Sequence, residues 1–381
     1  MDFSWSEEQK ALRAEITRFA KQELNEKIIE RDHGSEFSWD GWKKCAQMGI
    51  QGLPVPHEYG GGGADILTTV CALEALGYGC QDNGLIFSIN AHMWTSEIPI
   101  MFFGTEAQKK RYLPKLTSGE WVANGAMTEP MSGSDAYSLK TRAERKSDCY
   151  VLNGSKTFIT NAECAEMIVA FANVDPSKGP AGVTAFIVEK GTPGLRVGKK
   201  LHKMGLRTSP MAELYFEDCE IPAENLLGKE GSGQAVFTAS MEWERICIMA
   251  GHVGMMQRLL ETSVRYAKER VQFGKSIGKF PAVSDKIAEM DVRLETARLI
   301  LYKAAWLKKM GKHALREASI AKLYVSEATI QTSLDAIQIH GGYGYMSEYQ
   351  IERDHRDAIA GKIYSGTSEI QKSIIAGFLG L

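Results

Sequence analysis

CYVLNGSKTFIT (Cys149–Thr160) is the stretch on which the reading of this fold turns. It is rich in β-formers, and Asn153-Gly154 at its centre is a two-residue hairpin signal, since both residues accept the positive φ of a tight strand reversal. GVTAFIVEK, GLRVGKK and AELYFEDCEIP continue the series of short strands, with turns at Gly191 to Gly194 and at Pro222. The flanks read differently. From Ser6 to about Lys115 apolar residues recur at helical spacing, as Leu12, Ile16 and Phe19 do in EEQKALRAEITRFAKQEL and again in ILTTVCALEALGYG. After NLLGKEGSGQ the helical period returns in AVSDKIAEMDVRLETARLILYKAAWLKKMG and REASIAKLYVSEATIQTSLDAIQIHGG. The expected architecture is α+β: an N-terminal helical domain over 1–118, a compact β domain over 119–227 and a C-terminal helical bundle over 228–381.

Bulk properties narrow the function classes. The 381 residues suffice for two or three domains, and 45 basic against 47 acidic residues leave a net charge of −2, so no global basic field points to nucleic acid or an acidic membrane. Small-molecule chemistry is the expectation. The seven cysteines are scattered, with no C-x-x-C pair, which argues against a disulfide framework or a zinc site and fits a reducing cytoplasm. MDFSWSEEQKALRAEI is amphipathic and acidic rather than basic then apolar, and no run of about 18 apolar residues occurs. A soluble, unexported protein is expected.

Three loops are placed for binding. AMTEPMSGSDAYSLKT (Ala126–Thr141) offers hydroxyls, Gly133 and backbone amides that could wrap an anion or a polar ring edge. KERVQFGKSIGKF carries Arg270 on a helix, followed by a glycine bend and a second helix; arginine suits bidentate contact with phosphate. In AIQIHGGYGYMSEY, Gly341 and Gly342 end a helix and would let a ligand approach the backbone. Each has a plainer reading alone, as a turn, a surface arginine and a helix stop. PHEYGGGGAD lacks the strand and the spacing of a phosphate cradle and reads as a loop.

Together, AMTEPMSGSD, GSKTFITNA, ERVQFGKSIGKF, QIHGGYGY and IYSGTSEIQ resemble the acyl-CoA dehydrogenase family, in that family's order and spacing over essentially the whole chain. The resemblance implies helical, β-barrel and helical-bundle domains and non-covalent FAD, in a homotetramer whose neighbouring subunit completes the flavin site. By that resemblance Met127, Thr128, Gly133, Ser134, Phe158 and Thr160 would contact the flavin ring and phosphates. Arg270, Gln272, Phe273, Gln338, Gly341, Gly342, Thr367 and Glu369 would hold the rest of the cofactor. Pro281 stands where the family often has glutamine, which puts one cofactor contact in question.

The second departure concerns the base. GKIYSGTSEIQKSIIAGF puts Ser365 where many members carry the glutamate that takes the substrate's α-proton, and an unassisted hydroxyl is not deprotonated near neutral pH. A minority of members carry the base on the helix that opens the C-terminal domain, and SMEWERICIMAGHVGMM places Glu244 there, before Arg245. On a helix Glu244 shares a face with Ile248 and Gly251, so it is expected in an apolar pocket that raises its pKa. An exposed, ion-paired helix glutamate is the plainer alternative. Ser365 then leaves room at the flavin face, with Arg245, Ser365 and Gly366 bordering the substrate. Ser368 and Gln371 read as a capping box, and Ile370, Ile374 and Phe378 as the stripe seating the last helix.

SMEWER combined with IYSGTSEIQ is most similar to the prolyl-carrier-protein dehydrogenases of alkaloid and antibiotic pathways. That similarity implies oxidation of a prolyl thioester on an acyl or peptidyl carrier protein to a dehydroprolyl thioester. The alternatives are a short or branched acyl-CoA dehydrogenase with its base at Glu244, and a non-catalytic flavin-binding or scaffold homologue.

Overall fold

A computed structural model describes residues 5–381. The N-terminal part is helical: α1 (Glu7–Glu23), α2 (Ile28–Gly34), α3 (Trp39–Gln47), α4 (Ile66–Gly79), α5 (Asn83–His92), α6 (Ile98–Phe103) and α7 (Glu106–Thr117). Capping boxes open α1 (Ser6 with Gln9) and α7 (Thr105 with Gln108), each pair satisfying two otherwise free backbone N–H groups. Between α5 and α6 the chain widens into one π turn, Met93–Glu97. Ile16 is buried as its spacing predicts, with Leu12 and Phe19 packed at the edge of the same core.

The middle part holds β1 (Ala123–Ala126), β2 (Arg142–Arg145), β3 (Cys149–Thr160), β4 (Met167–Asn173), β5 (Val183–Glu189), β6 (Leu195–Lys200), β7 (Met211–Pro222) and β8 (Leu226–Leu227). They form one sheet in the order β6-β7-β3-β2-β4-β5-β8, with β1 added to β4. Four places apart in a flat sheet, β5 and β7 would lie roughly 19 Å apart. Their Cα atoms instead come within 8 Å, so the sheet curls strongly on itself. Tyr150 and Phe186 meet inside the curl with ring centroids 5.0 Å apart. The other face packs under α6 and α7, which leaves β4 buried along its whole length. The hydrogen-bonded path runs from β6 to β8 without closing among the described residues.

Asn153-Gly154 corrects a sequence expectation, because it lies inside the 12-residue β3 and makes no hairpin. The β3–β7 register shifts there, and Asn153 and Asp218 exchange two hydrogen bonds across the bulge at 3.0 and 2.8 Å. Glycine is required by proximity: a Cβ on Gly154 would sit 2.6 Å from the Thr141 Cα. Turn-favouring residues here serve a bulge instead of a reversal.

The C-terminal part consists of α8 (Gly233–Glu269), a small hairpin of β9 (Val271–Gln272) and β10 (Lys275–Ser276), then α9 (Pro281–Lys309), α10 (Leu315–His340), α11 (Gly342–Tyr345), α12 (Ile351–Ile359) and α13 (Ser368–Phe378). Arg270 is not on a helix as expected but just past α8, and the glycine bend is the Phe273-Gly274 hairpin turn, both residues at positive φ. Pro281 opens α9, where its missing N–H costs nothing. The α13 expectations also need correction. Thr367, not Ser368, is the N-cap, accepting from the Ile370 N–H, while Ser368 and Gln371 are the buried residues and Phe378 is exposed. The buried Gln371 side chain ties the helix to the turn before it, and Ile370 and Ile374 of the expected stripe are half-buried.

Helix α8 reaches the N-terminal domain through glycines. A Cβ on Gly254 would lie 2.2 Å from the Glu74 carbonyl oxygen on α4, whereas one on Gly377 of α13 would meet nothing within 4 Å. Gly254→Ala is therefore expected to cost about 1–3 kcal/mol by forcing α4 and α8 apart, and Gly377→Ala to gain about 0.5 kcal/mol from helix propensity. Urea unfolding of both variants checks this, and equal shifts would contradict the close helix crossing.

Candidate active site

Glu244 faces inward from the first third of α8 and is 7% exposed. Its Oε1 accepts a hydrogen bond from the Ser365 hydroxyl at 2.5 Å, and Oε2 is buried with no partner among the described residues. Burial pushes the carboxyl above its usual range, and the Ser365 hydrogen bond and the charges of Arg245 and Lys322 offset part of that rise. One oxygen is thus held and the other is free to take a proton.

Ser365 does more than leave room. It and Gly366 both have left-handed backbone, with φ of 55° and 88°. A Cβ at Gly366 would lie 2.7 Å from Gln371 Nε2, so conformation and space both demand glycine. The Ser365 carbonyl accepts from Arg245 Nε and Gln371 Nε2, each at 3.0 Å. The Gly366 carbonyl accepts from Lys322 Nζ at 2.7 Å and Gln371 Nε2 at 2.9 Å. Donors on α8, α10 and α13 therefore fix a turn whose side chain points at Glu244.

Ile248 and Gly251, one and two turns along α8, line a cavity of about 30 Å³ together with His252, Phe87 and Tyr364. The Phe87 and Tyr364 rings are 4.9 Å apart, and Tyr364 is hydrogen-bonded to His252 Nε2 at 2.5 Å. Desolvation drives the His252 pKa down to about 4 and pushes the Tyr364 phenol up, so both are neutral near pH 7. Asn83, Asn90 and Asp357 also line it, so the pocket expected to be apolar is in part polar.

A second group of expected residues lies on the middle domain. The β3–β7 register shifts again between Lys156 and Ile159, Phe158 stands 63% exposed at φ 58°, and the Thr157 N–H bonds the Thr128 carbonyl at 2.9 Å. Beneath them the buried Lys156 Nζ contacts Glu129 Oε1 at 2.8 Å and the Met127 carbonyl at 3.1 Å. Glu129 also accepts the Lys140 and Thr141 N–H groups. That buried pair clamps the Met127–Ser134 loop to β3. Thr128 and Thr160 are half-buried, Ser134 is exposed, and a Cβ at Gly133 would meet nothing within 4 Å. An open backbone, hydroxyls and an exposed aromatic on a bulged strand fit the edge of a flat polar ring.

The remaining expected residues fall elsewhere. Arg270, Gln272, Phe273, Gln338, Gly341 and Gly342 are all exposed, and Arg270 sits over the Tyr343 ring at 5.8 Å. Along α8 the 26 residues from Glu244 to Arg270 span roughly 39 Å. One chain therefore does not bring these residues to Glu244, while Thr367 and Glu369, opening α13, do adjoin its turn. Composition and motif reading missed Lys322, Gln371, His252, Tyr364, Glu129 and Lys156.

The family models for the acyl-CoA dehydrogenase N-terminal, middle and C-terminal domains match residues 6–120, 124–219 and 231–380. The chain belongs to the acyl-CoA dehydrogenase family. It is 42% identical to an L-prolyl-[peptidyl-carrier protein] dehydrogenase of Pseudomonas fluorescens over 100% of both chains, and 44% identical to an acyl-CoA dehydrogenase of Bacillus subtilis over 98% of both. The crystal structure of the prolyl acyl carrier protein oxidase AnaB superposes with TM-score 0.98 at 52% identity, covering 99% of this chain and 100% of that one. PigA with FAD and proline superposes with TM-score 0.98 at 42% identity over 100% of both.

As an acyl-CoA dehydrogenase family member the chain buries a carboxyl with a raised pKa, and the consequence for stability has a definite sign. Between the unfolded value near 4.3 and the higher folded value, the folded protein holds the proton more tightly, so stability falls as pH rises and the loss is complete above the folded pKa. Glutamine does not titrate. The stability of Glu244→Gln relative to the parent is expected to grow with pH across that window, by at most about 1.4 kcal/mol per unit. Paired urea melts from pH 5 to 8 measure it, and a pH-independent difference would mean that Glu244 does not titrate high.

Proposed function

We propose that this protein is an FAD-dependent dehydrogenase or oxidase of a prolyl thioester carried on an acyl or peptidyl carrier protein. The single observation that carries this reading is Glu244, buried in α8 with one oxygen held by Ser365 and the other bare. The similarity to prolyl-carrier-protein enzymes over the whole chain supports the substrate class. FAD fits the ledge of Met127, Thr128, Gly133, Ser134, Phe158 and Thr160, and when bound there it supplies the acceptor for the hydride leaving the β-carbon.

The chain's own residues do the rest. The thioester acidifies the α-carbon, Glu244 Oε2 takes that proton, and the Ser365 hydroxyl keeps Oε1 turned away from the substrate. Arg245, Ser365 and Gly366 border the acyl group, and the product is a dehydroprolyl thioester. The cofactor's far end is held by Arg270, Gln272, Phe273, Gln338, Gly341 and Gly342 of an adjacent subunit, in a homotetramer with Thr367 and Glu369 near the join. Support comes from their exposure and from the roughly 39 Å along α8. The curled middle sheet serves as the family's β-barrel platform, and in place of a glutamine contact Pro281 only starts α9.

The purified protein is expected to be yellow and tetrameric and to release FAD on heating. Stopped-flow bleaching by a prolyl-carrier protein should fall roughly 100- to 10,000-fold in Glu244→Gln with FAD content unchanged, and far less in Ser365→Ala. Bleaching by a short acyl-CoA and not by the prolyl carrier would favour the ordinary acyl-CoA dehydrogenase. Bleaching by neither would favour a non-catalytic homologue.

A further inference from the structure

Lys322 is the one fully buried cation beside the proposed base, and the mechanism above does not use it. It lies on α10 with no exposed surface, and its Nζ donates to the Gly366 carbonyl at 2.7 Å. A buried ammonium is costly unless it is hydrogen-bonded and balanced by nearby charge. Its hydrogen bond is not needed to satisfy that carbonyl, since Gln371 already donates there at 2.9 Å. The next residue back, Ser365, is the one whose hydroxyl meets Glu244.

We propose that Lys322 is a positioning residue for the base: it anchors the left-handed Ser365-Gly366 turn so that the Ser365 hydroxyl meets Glu244 Oε1, and its charge favours the carboxylate without touching it. This rests on the reading of Glu244 as the base. Ionised groups surround the pair on several elements. Lys322 is acted on by Arg245 and Glu244 of α8, Glu327 of α10 and Glu369 of α13, and Glu244 by Arg245 and Lys322. Tyr364 and His252, also within reach of these charges, are neutral near pH 7. Because Arg245 and Lys322 give their hydrogen bonds to the turn's carbonyls, neither caps the carboxylate. A contact ion pair would pull the carboxyl pKa down by about 1–3 units and weaken the base, whereas a cation held one residue away moves it less. Desolvation lowers the ammonium to about 8, so it is still mostly charged at neutral pH.

The test is the pH profile of flavin reduction by the prolyl-carrier substrate in the FAD-loaded tetramer, together with an infrared titration of the carboxyl band that Glu244→Gln removes. Lys322→Met should move the acidic limb and the band up by about one unit, slowing reduction about tenfold below that limb, with substrate affinity unchanged. Lys322→Gln keeps a donor and loses the charge, so it should show the same shift with less loss of rate, and Lys322→Arg should restore most of the profile. If Lys322→Met does not fold, the glutamine and arginine variants still separate charge from tether. An unmoved limb and band with normal rates would overturn the proposal and leave Lys322 a packing residue. Failure of the unsubstituted protein to be bleached would instead count against the prolyl-thioester reading, and the infrared titration would still judge Lys322.

Discussion

An ionisable carboxyl held in the interior with one oxygen bare is the constraint from which the rest of this site follows. Leaving Glu244 Oε2 without a partner costs free energy that a structural glutamate would avoid by turning to solvent or to a cation. The surroundings offset only part of that cost. Ser365 supplies one neutral hydrogen bond, while Arg245 and Lys322 direct their donors to the carbonyls of Ser365 and Gly366. A fully paired carboxylate would be more stable and a poorer base. The arrangement sits between those limits, and it depends on two consecutive left-handed residues, which is why the turn is gripped from three helices.

The helix that carries Glu244 also sets the geometry of the whole molecule. Packed on α4 through glycines and on α9 and α10 through its apolar faces, α8 runs unbroken for 37 residues. Its two ends hold different chemistry: a buried carboxyl toward the start, and past its end an exposed arginine and aromatic hairpin, beside the glycine pair that ends α10. An unbroken helix of that length cannot fold back to join them. The proposed association of subunits would let one copy's distal end, where Phe273 is 95% exposed, meet another's proximal site.

The sequence made the domain order and Glu244 legible because both are local. Helical and strand periods mark segments, and it is the resemblance to the family, with Ser365 in the usual base position, that singles out Glu244, since Ile248 and Gly251 on its face alone fit an exposed helix glutamate better. What it hid depends on tertiary neighbours. Asn153-Gly154 has hairpin chemistry, yet Thr141, just before β2, and Asp218 on β7 turned it into a bulge. In the Ile370, Ile374 and Phe378 stripe the last residue turned out exposed, and the contact that the stripe did not foretell is Gln371 reaching the turn before α13. Lys322 had a readable signal: it lies in register with Ala318, Val325 and Thr329, all buried, so a lysine stands on an otherwise small and apolar face of α10. A charge in such a place is seldom idle, but nothing in the sequence says which carbonyl it meets.

The walls around Glu244 also bear on the form of the substrate that could react. A prolyl thioester carries a ring nitrogen next to the α-carbon, and as an ammonium it would seek the nearest anion. Among the residues lining the small cavity the only carboxyl is Asp357, which accepts from the Leu206 N–H and from Asn83 Nδ2, the latter at 2.9 Å, and is raised to about 6 by burial. An ammonium that paired with Glu244 instead would consume the lone pair that has to take the α-proton. His252 and Tyr364 offer neutral polar atoms instead. A free amine would leave that lone pair available for the α-proton. On this reading the walls do more than raise the pKa of the base. They select the protonation state of the substrate, so that the carboxylate meets a carbon acid and not a cation.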